Sequence, residues 1–381
     1  MASTPMDVDN DSSGTTPTGI LHVKRTLGGP QASRIGDNIY DYAPQKTFRR
    51  DDVKEGKPLP RILALDFDDP GDLIMTSESD ETIQLYSVKD GRKDKSLLSK
   101  KYGVKLARFT HNSSSILYAS TKQNDAIRYL ATHDNTFIRY FEGHTGPVTS
   151  ISMHPGSDQF ISSGRDDCVV LWDIKSKNHS AKLYLTDPYL TAYDPAGIVF
   201  AIGCPASGSI ILYDCKNYEQ PFAAFDILEA GYDKDAHAAT SGWTTMLFSN
   251  DGKHLLLGTK GTGHFLLDAF DGKLKAFLKK TEGNTSRLAP GELPAMGGEA
   301  LEVFESSGDV CFTPDGRYVL GGGKRNITIW DTLATIPENK ELEPSGKLDE
   351  KGETSVVAFS PRYNFLATAD SELTFWLPES P

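Results

Sequence analysis

One stretch of the sequence, residues 143–173, constrains the fold more than any other. It reads GHTGPVTSISMHPGSDQFISSGRDDCVVLWD and contains three short apolar segments separated by turns at 154–158 and 166–167. Segments of roughly four to eight residues with alternate apolar positions are typical of β-strands, and Gly, Pro and Asp between them indicate tight reversals. The stretch therefore predicts a three-stranded antiparallel unit that opens with Gly-His and closes with Trp-Asp.

The polar side chains of this stretch predict a local chain of hydrogen bonds. Asp166, in a tight turn, is placed to accept hydrogen bonds from backbone N–H groups and from His144. His144 can reach Ser162, whose hydroxyl can reach the indole N–H of Trp172. Such a relay satisfies polar groups that would otherwise be buried unpaired, so we interpret the four residues as a structural tetrad. A Ser–His–Asp hydrolase triad is the alternative interpretation of the same residue types.

Weaker copies of the closing strand recur along the chain. The last aromatic or Leu residue of each copy gives positions 86, 130, 172, 213, 267, 330 and 376. Four of the six steps, of 44, 42, 41 and 46 residues, fit one repeat, whereas the steps of 54 and 63 residues require insertions. A Gly-His pair followed about thirty residues later by Trp-Asp, repeated every 40–45 residues, is the WD40 signature. We therefore predict an all-β fold, a seven-bladed WD40 β-propeller.

The insertions divide the predicted propeller, which spans residues 46–378. Residues 226–242 and 278–308 both connect the outer strand of one blade to the inner strand of the next, on the face that carries the turn with Asp166. The second insertion is rich in Gly, Pro and Glu, and it is predicted to be mobile and dispensable for folding. A smaller insertion near 333–345 is expected on the opposite face.

The N-terminal residues 1–45 are predicted to be an extension outside the propeller. The composition of 1–19, with almost no apolar side chains, is typical of a disordered tail. Residues 35–45 contain Ile35 and Ile39, and this segment either stays loose or docks on the propeller. Because the last repeat lacks an outer strand of its own, residues 46–50 are predicted to supply one and close the ring.

Composition argues against several classes of function. The chain has 40 basic and 52 acidic residues, a net charge of −12, which disfavours a general nucleic-acid binder. Its four Cys form no CxxC pair, its His residues outside the tetrad show no metal-ligand spacing, and no apolar run is long enough to span a membrane. We expect reduced cysteines, no secretory signal, no catalytic residue, no metal and no cofactor.

Several strings outside the WD40 consensus resemble one eukaryotic family. They include SKKYGV at 99–104, RFTH at 108–111, DAIRYL at 125–130, IRYFEGH at 138–144, FSNDGK at 248–253 and FWLP at 375–378. They are similar to the WD40 subunit called Swd-two in yeasts, part of the COMPASS histone H3 lysine methyltransferase complex. The resemblance implies a nuclear, non-catalytic scaffold that binds the N-terminal region of the SET-domain methyltransferase. It also implies membership of RNA 3′-end processing and transcription-termination assemblies that contain a phosphatase. A link to the phosphorylated C-terminal tail of RNA polymerase II is implied as well.

The predicted partner-binding surface lies on the face that carries both long insertions. Basic and aromatic side chains on its turns would steer an acidic or phosphorylated peptide towards an otherwise acidic protein. The alternatives are a generic WD40 adaptor of another nuclear complex and a direct phosphopeptide or RNA binder, although direct nucleic-acid binding is disfavoured by the net charge. The candidate rim residues are Lys100, Lys101, Tyr102, Lys122, Arg165, Lys324 and Arg325.

Overall fold

Short strands form seven separate sheets in the part of the chain that the structure, a computed structural model, describes. The described residues are 35, 37–53, 56, 58–281, 285–290, 292, 304, 305 and 308–379. All of them belong to one compact unit, 32–381. The prediction of a disordered tail at 1–19 lies outside the described residues. None of the described helices is long and apolar enough to cross a membrane.

The first four blades each have four antiparallel strands in chain order from the innermost to the outermost. Blade 1 contains β2 (Ile62–Phe67), β3 (Leu73–Glu78), β4 (Thr82–Ser87) and β5 (Arg92–Leu98). Blade 2 contains β6 (Lys105–Phe109), β7 (Ser115–Ala119), β8 (Ile127–Ala131) and β9 (Thr136–Phe141). Blade 3 contains β10 (Val148–Met153), β11 (Gln159–Gly164), β12 (Cys168–Asp173) and β13 (Ala181–Tyr184). Blade 4 contains β14 (Leu190–Tyr193), β15 (Val199–Cys204), β16 (Ser209–Asp214) and β17 (Ala223–Asp226).

The last three blades depart from this order at their outer edges. Blade 5 contains β18 (Trp243–Phe248), β19 (His254–Thr259), β20 (Gly263–Asp268), β21 (Leu274–Lys279) and a fifth strand, β25 (Glu341–Leu342). Blade 6 contains β22 (Val310–Phe312), β23 (Tyr318–Gly322), β24 (Asn326–Asp331) and β26 (Gly346–Asp349). Blade 7 contains β27 (Val356–Phe359), β28 (Leu366–Ala369), β29 (Leu373–Pro378) and the N-terminal strand β1 (Tyr42–Phe48). The predicted seven-bladed propeller is confirmed.

Burial follows the position of each strand within its blade. Central strands such as β7 and β28 are buried along their whole length, because apolar side chains on both faces pack against the two neighbouring blades. Outer strands such as β9 alternate between exposed and half-buried residues. The inner strands line a central channel of about 500 Å³. The core is therefore a ring of packed layers between blades.

The ring is closed by strands from the two ends of the described chain. Strand β1 pairs antiparallel with β29, from Tyr42 opposite Pro378 to Phe48 opposite Leu373. This confirms closure by an N-terminal strand, but the strand begins at Tyr42 rather than at Lys46. The preceding residues dock as well, since a short 3-10 helix at Asp37–Asp41 follows Ile35, and Ile35 and Ile39 are buried in the core of blades 6 and 7. Of the two alternatives for residues 35–45, docking is the one found.

Each blade has two ends, which define the two faces of the ring. The upper face carries the turns between the second and third strands, including the turn with Asp166, and the connections from one blade to the next. The lower face carries the remaining turns, such as that between β10 and β11. Both long insertions leave from the upper face, as predicted from their positions in the chain.

The first insertion contains a helix that the sequence pattern did not predict. Helix α1 (Ile227–Asp235) begins at Asp226, whose carboxylate accepts a hydrogen bond from the Glu229 N–H. A short 3-10 helix at Pro205–Ser207 lies earlier in the same blade. After α1, the carbonyl of Ala238 accepts a hydrogen bond of 2.9 Å from the indole N–H of Trp243. The insertion is thus tied to blade 5.

Parts of the second insertion lie on the upper face, and its residues 285–290, 292, 304 and 305 are called the strap here. Arg287 is 3% exposed and donates hydrogen bonds to the Asp370 carboxylate of blade 7 (2.9 Å) and to the carbonyl of Ile62 in blade 1 (2.8 Å). Glu305 forms an ion pair of 3.3 Å with Lys105 in blade 2. Residues 285–290 lie within the insertion that was predicted to be mobile, and Arg287 ties them to blades 7 and 1 through buried hydrogen bonds.

The third insertion, near 333–345, leaves the end of β24 on the lower face, as expected. It then runs along the outside of blade 5, where β25 pairs with β21 in parallel. The Phe277 N–H donates a hydrogen bond of 2.7 Å to the carbonyl of Lys340. The insertion therefore covers the edge strand of a neighbouring blade, which protects backbone groups that would otherwise be exposed.

Candidate functional site

The four predicted tetrad residues form a continuous chain of hydrogen bonds in blade 3. The Asp166 carboxylate lies 3.0 Å from His144 Nδ1, and it accepts a second hydrogen bond of 2.8 Å from the Thr145 N–H. His144 Nε2 lies 2.7 Å from Ser162 Oγ, which accepts a hydrogen bond of 2.9 Å from Trp172 Nε1. A Cβ atom on Gly143 would lie 2.6 Å from the Trp172 ring, which explains the Gly before His144.

Burial determines what this relay can do chemically. Ser162 and Trp172 are 0% and 1% exposed, so no substrate reaches the hydroxyl and these residues do not form an accessible hydrolase triad. Burial lowers the pKa of His144, which keeps the imidazole neutral. Burial opposes ionisation of Asp166, but hydrogen bonds from Cys168, His144 and the Thr145 N–H outweigh it and lower its pKa.

Cys168 adds a third potential metal donor beside the relay. One donor atom each from Cys168, His144 and Asp166 lie within 4.8 Å of one another. The Cys168 Sγ–His144 Nδ1 distance is 3.5 Å, and burial raises the pKa of Cys168 to about 12. A metal needs a thiolate, and the His144 nitrogens already bond Asp166 and Ser162. Hydrogen bonding therefore accounts for this cluster.

In blade 1 an ion-pair network takes the place of the tetrad found in blade 3. Arg50 follows the closing strand, and its side chain pairs with Glu78, Asp80 and Asp52. Burial raises the pKa of Glu78 to about 7, even though Arg50 opposes that shift. Tyr86 stands where Trp172 stands in blade 3, one residue before the end of the third strand. The repeat pattern in the sequence did not indicate that an ion-pair network replaces the tetrad in this blade.

The predicted rim residues all lie on the upper face but do not form one surface. Lys100, Lys101 and Tyr102 lie between β5 and β6, and Lys122 lies beside them, since its N–H donates a hydrogen bond of 2.8 Å to the Tyr102 carbonyl. Arg165 lies on the next blade, between β11 and β12. Lys324 and Arg325 lie on blade 6, with blades 7 and 1 between them and Lys100. The seven-fold ring separates turns that are equivalent in the repeat.

An aromatic cluster lies beside Lys101, and the sequence pattern did not predict that its three rings come together. Its three rings, Tyr102, Phe137 and Tyr140, are called the aromatic ledge here. The guanidinium of Arg128 lies 3.4 Å from the ring centroid of Tyr102, 4.9 Å from that of Tyr140 and 5.5 Å from that of Phe137. The alternation of Arg and Tyr along β8 and β9 was the available signal, but it does not say which side chains share a face of the blade.

Comparison with known proteins agrees with this architecture. The WD domain, G-beta repeat family matches residues 135–173 and 304–331. The COMPASS component SWD2 of Saccharomyces cerevisiae is 34% identical over 345 residues, 89% of this chain and 96% of that protein. The chain belongs to the Swd2 family of WD40-repeat proteins. WD repeat-containing protein 82 of Drosophila melanogaster is 34% identical over 84% of this chain and 91% of its own. The Set1 complex component swd2 of Schizosaccharomyces pombe is 33% identical, over 83% and 92%.

The two matched segments show which blades of this Swd2-family chain keep the repeat motif. They include the first three strands of blades 3 and 6, and in both blades the third strand ends in Trp-Asp, at Trp172 and Trp330. The third strands of the other blades end in other pairs, such as Tyr86-Ser87 and Leu130-Ala131. The remaining five blades are thus held by packing and by contacts of their own.

Proposed function

We propose that the chain is a non-catalytic, nuclear scaffold subunit of a COMPASS-type histone H3 lysine-4 methyltransferase complex. The observation that carries this proposal is the similarity, over nearly the whole length of the relatives, to proteins named as components of COMPASS and of the Set1 complex. A closed propeller suits this role, because it is a rigid ring on which segments of other proteins dock. The inaccessible Ser162 supports a non-catalytic role.

We propose further that the N-terminal region of the SET-domain methyltransferase docks on the upper face. A second assembly, concerned with RNA 3′-end processing and termination and containing a phosphatase-associated subunit, is proposed from the family resemblance described above. The protein as a whole has a net charge of −12, so an acidic segment is attracted only where basic side chains are exposed. Exposed basic side chains on the upper face therefore support docking of acidic segments there.

Affinity purification from cells of the source organism tests the proposed function. We expect the full-length chain to co-purify with a SET-domain methyltransferase, as identified by mass spectrometry. The triple variant Lys100→Glu, Lys101→Glu, Arg165→Glu should fold as the wild type does and recover less of at least one partner. Recovery of neither a methyltransferase nor a 3′-end-processing subunit with the wild-type protein would refute the proposed function.

A second candidate function is binding of a phosphopeptide, such as the phosphorylated tail of RNA polymerase II. The exposed Lys100, Lys101 and Arg165 favour it, since Lys and Arg suit phosphoserine. Calorimetric titration with phosphorylated and unphosphorylated tail peptides separates the two candidates. Equal affinity for both peptides would exclude phosphate recognition.

A further inference from the structure

The aromatic ledge on blade 2 is held in place before any partner arrives. Tyr102 and Phe137 make an edge-to-face contact at 5.6 Å, and Phe137 and Tyr140 pack at 5.3 Å. Beneath them Arg128 is only 2% exposed, and it donates hydrogen bonds to Ser120 Oγ (2.8 Å) and Asn124 Oδ1 (3.0 Å). Rings fixed in this way lose little conformational entropy on binding, which favours affinity.

The outer part of the ledge is open to solvent. Tyr140 is 41% exposed, and Ile138, two residues away on β9, is 49% exposed. Arg128 itself is too deeply buried to meet a ligand, so it supports the rings and does not form the contact. Exposed, rigid tyrosines are among the side chains that contribute most to binding energy at protein interfaces.

Two lysines beside the ledge have no ion-pair partner among the residues that the structure describes. Lys122 is paired with Glu81, but within the described part of the chain no carboxylate lies at ion-pair distance from Lys100 or Lys101. The Lys101 amine instead lies 5.0 Å from the centroid of the Tyr102 ring. Unpaired positive charge at the border of an aromatic surface, in an acidic protein, complements a negatively charged segment.

We propose that the aromatic ledge and Lys100–Lys101 together bind an acidic peptide segment that carries an aromatic side chain. The aromatic side chain packs on Tyr140 and Phe137, and the flanking acidic groups face the two lysines. This inference rests on the proposed function, since it names the part of the upper rim that is used and the chemistry of the docking segment. Lys324 and Arg325 lie on blade 6 and take no part in this proposed contact.

Fluorescence anisotropy with short synthetic peptides tests the proposal on the full chain. The first probe is a labelled run of Glu and Asp with a central Trp, and the second replaces the Trp by Ser. We expect the first probe to bind at least about tenfold more tightly, which is ~1.4 kcal/mol. A third probe, with phosphoserine in place of two carboxylates, distinguishes carboxylate from phosphate as the preferred charge.

Matched variants locate the site. Tyr140→Ala and the pair Lys100→Glu, Lys101→Glu should each weaken the first probe at least about tenfold, whereas Tyr140→Phe should bind as the wild type does. The control is Tyr184→Ala on blade 3, because Tyr184 is 76% exposed on an outer strand and has a lysine, Lys182, 5.5 Å from its ring. Equal binding by the Tyr140→Ala and wild-type proteins, with unchanged thermal unfolding, would overturn the proposal.

The same variants keep this inference distinct from the proposed function. If the wild-type chain co-purifies with a methyltransferase but does not bind the first probe, the ledge proposal fails and the scaffold function stands. If the Tyr140→Ala protein loses both the probe and the methyltransferase, both proposals are supported. If the wild-type protein binds the probe but recovers no methyltransferase complex, the ledge is supported and the proposed function fails.

Discussion

Three tryptophans occupy the same place in three blades, yet their indole N–H groups meet three different acceptors. Trp172 donates to Ser162 Oγ, Trp376 donates to Thr368 Oγ1 at 2.8 Å, and Trp330 donates to the carbonyl of Lys279 at 3.1 Å. What the fold requires at this position is an acceptor for a buried donor, and a hydroxyl or a carbonyl serves equally. A Trp at this position therefore does not require the Ser that blade 3 provides.

Two buried histidines predict how stability depends on pH. Burial lowers the pKa of His264 well below its ordinary value of 6.5, and burial also lowers the pKa of His144. The unfolded chain therefore binds protons that the folded chain does not. The contribution of these two histidines to stability should be complete above about pH 6.5 and should be lost as the pH drops from there towards the folded pKa values, by at most ~1.4 kcal/mol per pH unit for each histidine. Glu78, whose pKa burial raises to about 7, changes stability in the opposite direction over this window, so the histidine contribution is measured as a difference between variants.

Denaturant unfolding at several pH values between about 7 and 5 measures this dependence. Asn is the test substitution at position 264, because His264 Nδ1 accepts a hydrogen bond from the Thr259 N–H, which the amide oxygen can also accept. His264→Asn should reduce the loss of stability on acidification. The exposed His133→Asn is the control and should leave it unchanged. The same slope in His264→Asn and wild type would contradict the assignment.

Elements differ in how far the sequence alone could predict them. The third strands, such as β12 and β24, were predictable because their apolar runs and closing Trp-Asp are local in the chain. Helix α1 and strand β25 were not, since α1 rests against blade 5 and β25 exists only because β21 offers a free edge. The aromatic ledge likewise needs the alignment of β8 with β9, which a pattern of alternating residues does not fix.

At the scale of the strap, Arg287 is predicted to be an anchor. Arg287→Ala should lower the free energy of unfolding by about 1–3 kcal/mol, because it removes hydrogen bonds to Asp370 and to the Ile62 carbonyl. Asp370 keeps Arg61 and the Ser355 hydroxyl as partners, which limits the loss. The control is Lys279→Ala, because its solvent-exposed ion pair with Glu343 should contribute much less than the buried contacts of Arg287. Chemical denaturation compares the two, and equal small effects would show that the strap is not anchored by Arg287.

For the whole molecule, closure of the ring by β1 predicts a sharp difference between two truncations. Deletion of residues 1–19 keeps β1 and every contact described here, so thermal unfolding should not change. Deletion of residues 1–50 removes the partner of β29 and also Ile35, Ile39 and Arg50, which exposes the edge of blade 7 and should cause association. Light scattering after size exclusion measures this, and a stable monomer of residues 51–381 would contradict the role of β1.

The pairing of β1 with β29 also sets an order of events during synthesis. Thr47 and Thr374, which face each other in the closed ring, are separated by 327 positions. At roughly 5–20 residues per second, β1 leaves the ribosome tens of seconds before its partner is made. A strand that waits unpaired for so long is exposed to wrong partners. Strand β1 carries Pro44, Lys46 and an irregularity in register between them, features that discourage pairing along a free edge. The residues that weaken β1 as a strand thus protect the nascent chain until the ring can close.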